Sequence, residues 1–230
     1  MKRISIITNG PGIAEVKSLY GQASDWVQNV LSDYDVDVKV VKAYEMEDFS
    51  SERDDAWIIT GSAYSVYDDF KWIDYLKMKL SEMNRIGKPV LGICFGHQLI
   101  AEALGGIVIK SNRGWHVGVD SVKVNDEAKI FGIPNDVFNL IYNHQDEVHT
   151  LPENAKLLAS SENCPIGMMS IDNHILSFQG HIEFEKNYAK DLLDMRKDIL
   201  GETIYKTACN SLNKETDDLK VTGWILNFLK

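Results

Sequence analysis

The chain has 230 residues, a formal net charge of −10 and an apolar fraction of 44%. This length suits one large domain or two small ones, and the apolar fraction is sufficient for a packed core. The acidic balance and the lack of any run of lysines or arginines argue against nucleic acid or an anionic membrane as a partner.

The number of cysteines and the length of the apolar segments indicate where in the cell the protein is expected. Cys94, Cys164 and Cys209 form an odd, sparse set that fits a reducing compartment and not a disulfide framework. The first apolar run meets the turn residues 9–12 too soon for a signal peptide. No apolar stretch approaches the ~20 residues that a membrane span needs. We therefore expect a soluble cytoplasmic protein.

The first part of the chain alternates apolar strands with amphipathic helical patterns. Its predicted strands cover residues 3–8, 36–41, 56–59 and 89–91, and its predicted helices cover residues 13–31 and 70–85. Alternation of this kind predicts a parallel sheet that is covered by helices on both faces.

After residue 106 the pattern changes to short strands with small turns. The predicted strands cover residues 107–109, 118–124, 137–142, 156–160, 167–171 and 175–179, and helices follow at 183–200 and 219–228. We expect a mixed or antiparallel extension of the same sheet. The prediction is one domain over residues 1–230, a three-layer α/β sandwich with a mostly parallel central sheet, in which residues 201–230 form a C-terminal helical extension.

Residues 89–106, with the sequence PVLGICFGHQLIAEALGG, predict a buried strand, a sharp turn and a helix. Cys94 lies in the turn between Gly92 and Gly96, which is the G-x-nucleophile-x-G elbow with Cys in place of Ser. Glycine is needed on both sides because the backbone of the nucleophile is strained and a neighbouring Cβ would clash. The free N–H groups of the following helix favour a thiolate and can also hold an oxyanion.

Two other interpretations of Cys94 compete with a nucleophile. A single Cys after an apolar strand is commonly a buried core residue, and a glycine-rich strand-to-helix turn can cradle a phosphate. However, the segment contains neither G-x-G-x-x-G nor Gly-Lys-Ser/Thr, and its two glycines flank a nucleophile. The pattern therefore favours catalysis over both alternatives.

A cysteine nucleophile needs a base, and the base needs a partner that orients it. Among six histidines, His181 is the best placed, because it follows the predicted strand 175–179 at the carboxyl end, where active sites of α/β sheets gather. Glu183 could bind one imidazole nitrogen and leave the other facing sulfur, with Glu185 as the fallback partner. A hydrogen-bonded structural histidine is the alternative for His181.

The motifs GICFGHQ and QGHIE together resemble those of the class I glutamine amidotransferases. The resemblance is greatest to free-standing members that are similar to GMP synthetase, a group that also includes γ-glutamyl peptidases. It implies a flavodoxin-like fold and a Cys-His-Glu triad formed by Cys94, His181 and Glu183. The family usually has Pro where this chain has Ile182, which puts the rigidity of that turn in question.

The resemblance also implies residues that contact the substrate. The expected oxyanion donors are backbone N–H groups of Gly61, Ser62 and Phe95. The expected substrate-binding residues are Gln98, Asn143, Gln145 and Asp146, most of which lie in the segment YNHQD. An ordinary strand-ending turn and a solvated loop are the alternatives for these two segments.

No metal and no cofactor are expected. His144, Asp146 and His149 do not have the spacing of a standard zinc motif, and Cys164 and Cys209 lie in unrelated surroundings. Cys164 is predicted to be a turn residue, and Cys209 is predicted to pack within a helix.

The expected function is hydrolysis or transfer at the γ-glutamyl amide of glutamine or a γ-glutamyl conjugate, a small-molecule substrate, through a γ-glutamyl thioester. One alternative is a glutaminase subunit that supplies ammonia to a separate acceptor synthase. Another is a catalytically silent binding protein of the same fold. Residues 63–69 could line the leaving-group side of the site, which favours γ-glutamyl conjugates, or could only cap the helix 70–85.

Overall fold

The computed structural model describes residues 2–32, 34–49 and 53–230. Within these ranges the strands are β1 Lys2–Thr8, β2 Val36–Lys42, β3 Ala56–Ile59, β4 Val90–Ile93, β5 Ile107–Lys110, β6 His116–Val124, β7 Val137–His144, β8 Asp146–Thr150, β9 Ala155–Ser160, β10 Met168–Ile171 and β11 Ile175–Phe178. The α-helices are α1 Ala14–Tyr20, α2 Ala23–Leu31, α3 Lys71–Ile86, α4 Phe95–Ala103, α5 Lys186–Met195, α6 Lys197–Ser211 and α7 Asp218–Phe228.

Nine of these strands form one sheet in the order β2-β1-β3-β4-β11-β10-β9-β6-β7. Strands β2, β1, β3, β4 and β11 pair in parallel. Strands β10, β9, β6 and β7 continue the sheet with antiparallel pairs. The predicted fold class, a mixed α/β sandwich with a large and mostly parallel central sheet, is confirmed.

Both faces of the sheet are buried, which explains the continuous apolar runs of its parallel strands. The neighbours Ile58 and Ile59 of β3 belong to separate cores, because successive side chains of a strand point to opposite faces. Helices α2 and α7 cover one face and pack residues such as Ile225 against it. Helices α3 and α4 cover the other face, with Leu76 and Leu99 in its core.

The predicted helix over residues 13–31 is wrong in one respect, because it is two helices. Helix α1 ends before Gly21, which has a φ of 77° that favours glycine. Gln22 and Asp25 then form a capping box that starts α2. A strand was also missed, since β8 pairs with β5 in a separate two-stranded sheet.

The predicted helix over residues 183–200 is also wrong at both ends. Helix α5 begins only at Lys186, and the chain leaves helical geometry at Arg196 before α6 starts. The apolar spacing in this range predicts a buried stripe of Tyr188, Leu192, Met195 and Ile199. Tyr188 and Leu192 are buried, but Met195 is 46% and Ile199 is 69% exposed. The apolar spacing in the sequence continues past Arg196, but helix α5 does not.

The C-terminal residues contribute to the main core. Helix α7 buries Val221 and Ile225 in the same core as β1 and β4, and α6 lies against β6. The division into one domain with a helical extension over residues 201–230 stays a prediction. Among the described residues, none of the helices combines the length and the apolarity that crossing a bilayer requires.

Candidate active site

Strand register brings three loops to one point at the carboxyl edge of the sheet. Strand β4 lies between β3 and β11, and Gly92 is level with Ile59 on one side, while Ile93 is level with Phe178 on the other. The residues that follow these strands therefore leave the sheet side by side. They are Gly61 after β3, Cys94 after β4 and His181 after β11.

Cys94 has the strained backbone that its flanking glycines predict. Its φ of 52° and ψ of −102° lie in a region that residues other than glycine rarely adopt. A Cβ on Gly96 would lie 2.2 Å from the carbonyl oxygen of Ile59, and a Cβ on Gly92 would lie 2.5 Å from the side chain of Ile100. The glycines thus let α4 pack directly on the sheet, with Cys94 at the turn between them.

His181 and Glu183 form a buried pair beside the sulfur atom. His181 Nδ1 lies 2.8 Å from Glu183 Oε1, and the side chains of His181 and Cys94 both adjoin the backbone of Gly61. Burial disfavours the imidazolium, but the charges of Glu183 and Cys94 outweigh it and raise the pKa of His181 to about 10. The arrangement therefore favours a protonated His181 next to sulfur. Glu185, the fallback partner for His181, is the N-cap residue of α5.

The turn between His181 and Glu183 is held by packing, which answers the question raised by Ile182. The Ile182 side chain is 5% exposed and belongs to the main core, while the His181 N–H donates to the Ile141 carbonyl at 2.8 Å. The Phe184 ring stacks on the His181 ring with a centroid distance of 3.6 Å. These contacts fix the imidazole without the proline that the related motif has. Glu183 lies in this loop and not at the start of a helix.

Two of the three expected oxyanion residues lie in the loop after β3, and the third is the residue that follows Cys94. A Cβ on Gly61 would lie 3.1 Å from His181 Cε1 and 3.7 Å from Cys94 Cβ, so this backbone directly adjoins both side chains. Ser62 lines the cleft, and its hydroxyl donates to the Asn9 carbonyl. Phe95 is the first residue of α4, so its N–H has no carbonyl one turn earlier to bond.

A cleft with a void of about 880 Å³, open solvent included, leads to Cys94 and His181. One wall is aromatic, because Trp26, Phe184 and Tyr188 contact each other with centroid distances between 4.5 and 5.5 Å. The loop that contains Gly12 also lines the cleft. Sequence reasoning missed this loop, although its place after β1 at the same sheet edge was a usable signal.

Of the four expected substrate-binding residues, only Asn143 lines the cleft. Gln98 is 3% exposed and donates to the Asp146 carbonyl and the Gln179 side chain. Gln145 lies outside the cleft lining. The Asp146 carboxylate accepts hydrogen bonds from Ser65 and Tyr67, two residues of the segment 63–69. Of the segment YNHQD, Asn143 therefore lines the cleft, whereas Gln145 and Asp146 do not.

Residues 63–69 divide between the cleft and the support of its wall. Ala63 and Tyr64 line the cleft, whereas Tyr67 binds Asp146 outside it. The alternative in which an aspartate of this segment caps the next helix is not seen. The N-cap of α3 is Phe70 and makes no side-chain capping bond, while Asp68 accepts from the Ser65 N–H.

Arg196 is a cleft residue that no local sequence pattern indicated. It stands where α5 ends, its guanidinium donates to Asn143 Oδ1, and its Cζ lies 4.8 Å from the centroid of the Trp115 ring. Burial lowers the pKa of Arg196, and the neighbouring Tyr188 and Cys94 act in the opposite direction. The cleft that contains Cys94 thus also contains a cation.

The fold and this site together have the form of a thiol-nucleophile enzyme on an open α/β sheet. A protein-family model described as glutamine amidotransferase class-I matches residues 15–195. The chain belongs to this family. The predicted resemblance and the predicted class of enzyme, a glutamine amidotransferase or γ-glutamyl hydrolase, are confirmed at the level of the family.

Curated relatives include gamma-glutamyl peptidases and GMP synthase subunits. Gamma-glutamyl peptidase 4 of Arabidopsis thaliana is 34% identical over 201 residues, which cover 84% of the chain and 80% of that protein. Gamma-glutamyl peptidase 3 of the same plant is 38% identical over 156 residues, which cover 64% of the chain and 63% of that protein. A glutamine-hydrolyzing GMP synthase subunit of Sulfurisphaera tokodaii is 35% identical over 130 residues, covering 56% of the chain and 67% of the relative.

Solved structures show the same fold over the whole chain. A glutamine amidotransferase from Thermotoga maritima superposes with a TM-score of 0.77 at 19% identity, covering 99% of this chain and 96% of that one. At this identity the likeness concerns the fold alone.

Proposed function

We propose that the protein cleaves γ-glutamyl amides with Cys94 as nucleophile, His181 as proton donor and acceptor, and Glu183 as the group that orients His181. The observation that carries this proposal is the buried, hydrogen-bonded pair of His181 and Glu183 next to Cys94 in the lining of one cleft. Neither the glycine pattern nor a single histidine would be sufficient by itself.

In the proposed reaction the Cys94 thiolate attacks the δ-carbonyl carbon of the γ-glutamyl group, and the carbonyl electrons move onto oxygen. The N–H of Phe95 and the backbone at Gly61 and Ser62 are the proposed donors to this oxyanion. The carbon–nitrogen bond then breaks while the His181 imidazolium gives its proton to the leaving nitrogen. Water, deprotonated by the now neutral His181, cleaves the γ-glutamyl thioester to release glutamate, or an acceptor amine takes its place.

Arg196 and Asn143 are the proposed anchor for the charged end of the substrate. A γ-glutamyl group carries an α-carboxylate, and a half-buried guanidinium is the side chain best suited to bind it. Asn143 already orients this guanidinium through a hydrogen bond and faces the same cleft. This assignment replaces the expected contacts from Gln98, Gln145 and Asp146.

The leaving-group side of the cleft favours substrates larger than glutamine. Ammonia needs no binding surface, whereas Trp26, Tyr188 and Tyr64 offer apolar area against which a peptide or an amine could lie. The names of the Arabidopsis relatives agree with this preference. We therefore propose activity on γ-glutamyl conjugates without a partner protein.

Steady-state kinetics of the purified full chain tests this proposal. We expect kcat/KM for γ-glutamyl peptides with an apolar second residue to equal or exceed the value for glutamine, with free glutamate and the released amine or ammonia as the readouts. Values for every peptide far below that for glutamine would refute the substrate class. If neither glutamine nor any γ-glutamyl peptide released glutamate, the activity itself would be refuted.

A glutaminase subunit is the second candidate, because some relatives are named as GMP synthase subunits. Such a protein would release ammonia slowly by itself and much faster when an acceptor synthase is added. Strong activation of glutamine hydrolysis by a synthase, together with negligible peptide cleavage, would establish this candidate in place of the peptidase.

Replacing Arg196 with glutamine is expected to raise KM for both substrate types and to lower kcat/KM about 10- to 100-fold, since one charge-assisted contact to the carboxylate is lost. Lys197→Gln is the matched control, because Lys197 is the next residue, is exposed and contacts Glu202 and Tyr205 outside the cleft. An unchanged KM in Arg196→Gln, or an equal effect of both variants, would contradict the assignment.

A further inference from the structure

Two histidines and a cysteine meet at a second position, outside the Cys94 cleft. His116 at the start of β6 and His144 at the end of β7 are directly paired residues of one antiparallel ladder. Cys164, from the loop between β9 and β10, completes the group, and the ring nitrogens and sulfur that face each other all lie within 4.8 Å. The expectation that Cys164 lies in unrelated surroundings is therefore wrong, and His144 is grouped with neither Asp146 nor His149 as a set of side-chain ligands.

Hydrogen bonds determine which nitrogen of His144 faces this group. His144 Nδ1 lies 2.8 Å from the backbone oxygen of Asp146, and a carbonyl oxygen can only accept. Nδ1 therefore carries the hydrogen, and Nε2 of the neutral ring has a free lone pair. This lone pair points away from the backbone and toward His116.

His116 is oriented in the same way from the opposite side. Its Nε2 lies 3.0 Å from the Asp120 carboxylate, so this nitrogen carries a hydrogen and Nδ1 is the one that faces His144. The two inward nitrogens are 3.1 Å apart. Two bare lone pairs at this distance repel each other, so the pair needs one shared proton or one cation between them.

The separation of the two nitrogens fits a metal ion. Zinc–nitrogen bonds of about 2.0–2.1 Å at a tetrahedral angle place two ligand nitrogens about 3.3 Å apart. The outer partners, the Asp120 carboxylate and the Asp146 carbonyl, are also of the kind that orients metal-bound imidazoles in proteins. A thiolate as third ligand selects zinc over the hard cations magnesium and calcium.

We propose that His116, His144 and Cys164 bind one zinc ion, which joins the β6–β7 ladder to the loop that carries Cys164. The adjoining cavity has a void of about 700 Å³, open solvent included, and is lined by both histidines, so it offers an entry path and room for a water as fourth ligand. Arg113 also lines this cavity, but its charge is paired with Glu147. The thiolate and the Asp120 carboxylate then balance the charge of the ion.

Metal analysis of the chelator-treated full chain, reloaded with zinc, tests the proposal. The Cys94→Ser background is used so that the thiol of the catalytic cleft cannot contribute a ligand. We expect one zinc ion per chain after dialysis, and for Co²⁺ as the probe a thiolate-to-cobalt charge-transfer absorption. Adding Cys164→Ser should remove this absorption, whereas Cys209→Ser, which changes another free cysteine, should leave it.

A second variant keeps all three ligands, so that a change in zinc affinity can be measured without the risk that a ligand replacement unfolds the protein. Asp120→Asn should weaken zinc affinity about 10- to 100-fold, because an amide oxygen can still accept from His116 but lacks the negative charge that a carboxylate places behind it. His149→Asn changes an exposed histidine of β8 and should have no effect. Less than stoichiometric zinc in the background protein, a cobalt spectrum without a thiolate band, a band that survives Cys164→Ser, or equal affinities of these two variants would each overturn the proposal.

Discussion

Cys94→Ala is expected to lower kcat for γ-glutamyl substrates by about 10⁴-fold or more, because the covalent route through the thioester is lost. Binding and fold should persist, since Cys94 contributes a small side chain at a turn whose geometry is set by Gly92 and Gly96. The measurement is glutamate release at saturating substrate, with Cys209→Ala as the matched control. Cys209 lies on α6 outside the cleft lining and should keep full activity when it is replaced.

Covalent labelling gives the same prediction a second readout. A glutamine analogue with a diazo-ketone electrophile should modify Cys94 and leave Cys164 and Cys209 unmodified, as peptide mass analysis would show. In the metal-free protein, burial raises the pKa of Cys164 well above its usual range, so this thiol is a poor nucleophile at neutral pH. Labelling spread evenly over the three cysteines, or activity retained by Cys94→Ala, would remove the basis of the proposed mechanism.

His181→Asn is expected to lower kcat by about 10⁴- to 10⁶-fold, because the leaving nitrogen then has no proton donor and the thioester has no base. Glu183→Gln should cost about two orders of magnitude less, since Glu183 orients the imidazole and does not itself take the proton. His144→Asn is the informative comparison, as His144 is equally buried but belongs to the second cluster. Loss of activity in His144→Asn with retention in His181→Asn would show that the wrong histidine has been chosen.

The pH profile tests the link between His181 and Glu183. His181 has its pKa raised to about 10, so the imidazolium donor should persist from neutral pH to about pH 10 and be lost above it. In Glu183→Gln the carboxylate that stabilises the imidazolium is absent, while burial still disfavours the imidazolium. The alkaline limb of kcat/KM should therefore move to lower pH. Superimposable alkaline limbs for the two proteins would contradict the link.

The same shift has a consequence for stability. Because the pKa of His181 in the folded state lies above its unfolded value near 6.5, the charged pair stabilises the fold fully below about pH 6.5. This contribution is lost as the pH rises through about 10. The wild-type protein should lose more unfolding free energy than Glu183→Gln between these two pH values.

The sequence by itself determined the local chemistry around Cys94 and the positions of the parallel strands along the chain. The glycines at positions 92 and 96 act on their immediate neighbours, and apolar runs bounded by turns define strands over short distances, so both signals are contained in a few consecutive residues. The position of His181 followed as well. Its strand ends two residues before Gly180-His181, and the carboxyl ends of parallel strands share one edge.

Other features were decided by contacts between residues far apart in the chain. The chain leaves helical geometry at Arg196 although the apolar pattern continues. The same break places Arg196 in the cleft against Asn143, which is 53 residues away. No local pattern encodes that pairing.

The second cluster illustrates the same limit most clearly. His116 and His144 meet only because β6 and β7 pair in one particular register, and a shift by one residue would turn one ring to the opposite face of the sheet. Cys164 joins them from a third segment, through the folding of the loop after β9. Sequence spacing therefore indicated no metal site, whereas the register of an antiparallel ladder and the loop after β9 bring two imidazoles and a thiol within 4.8 Å of one another.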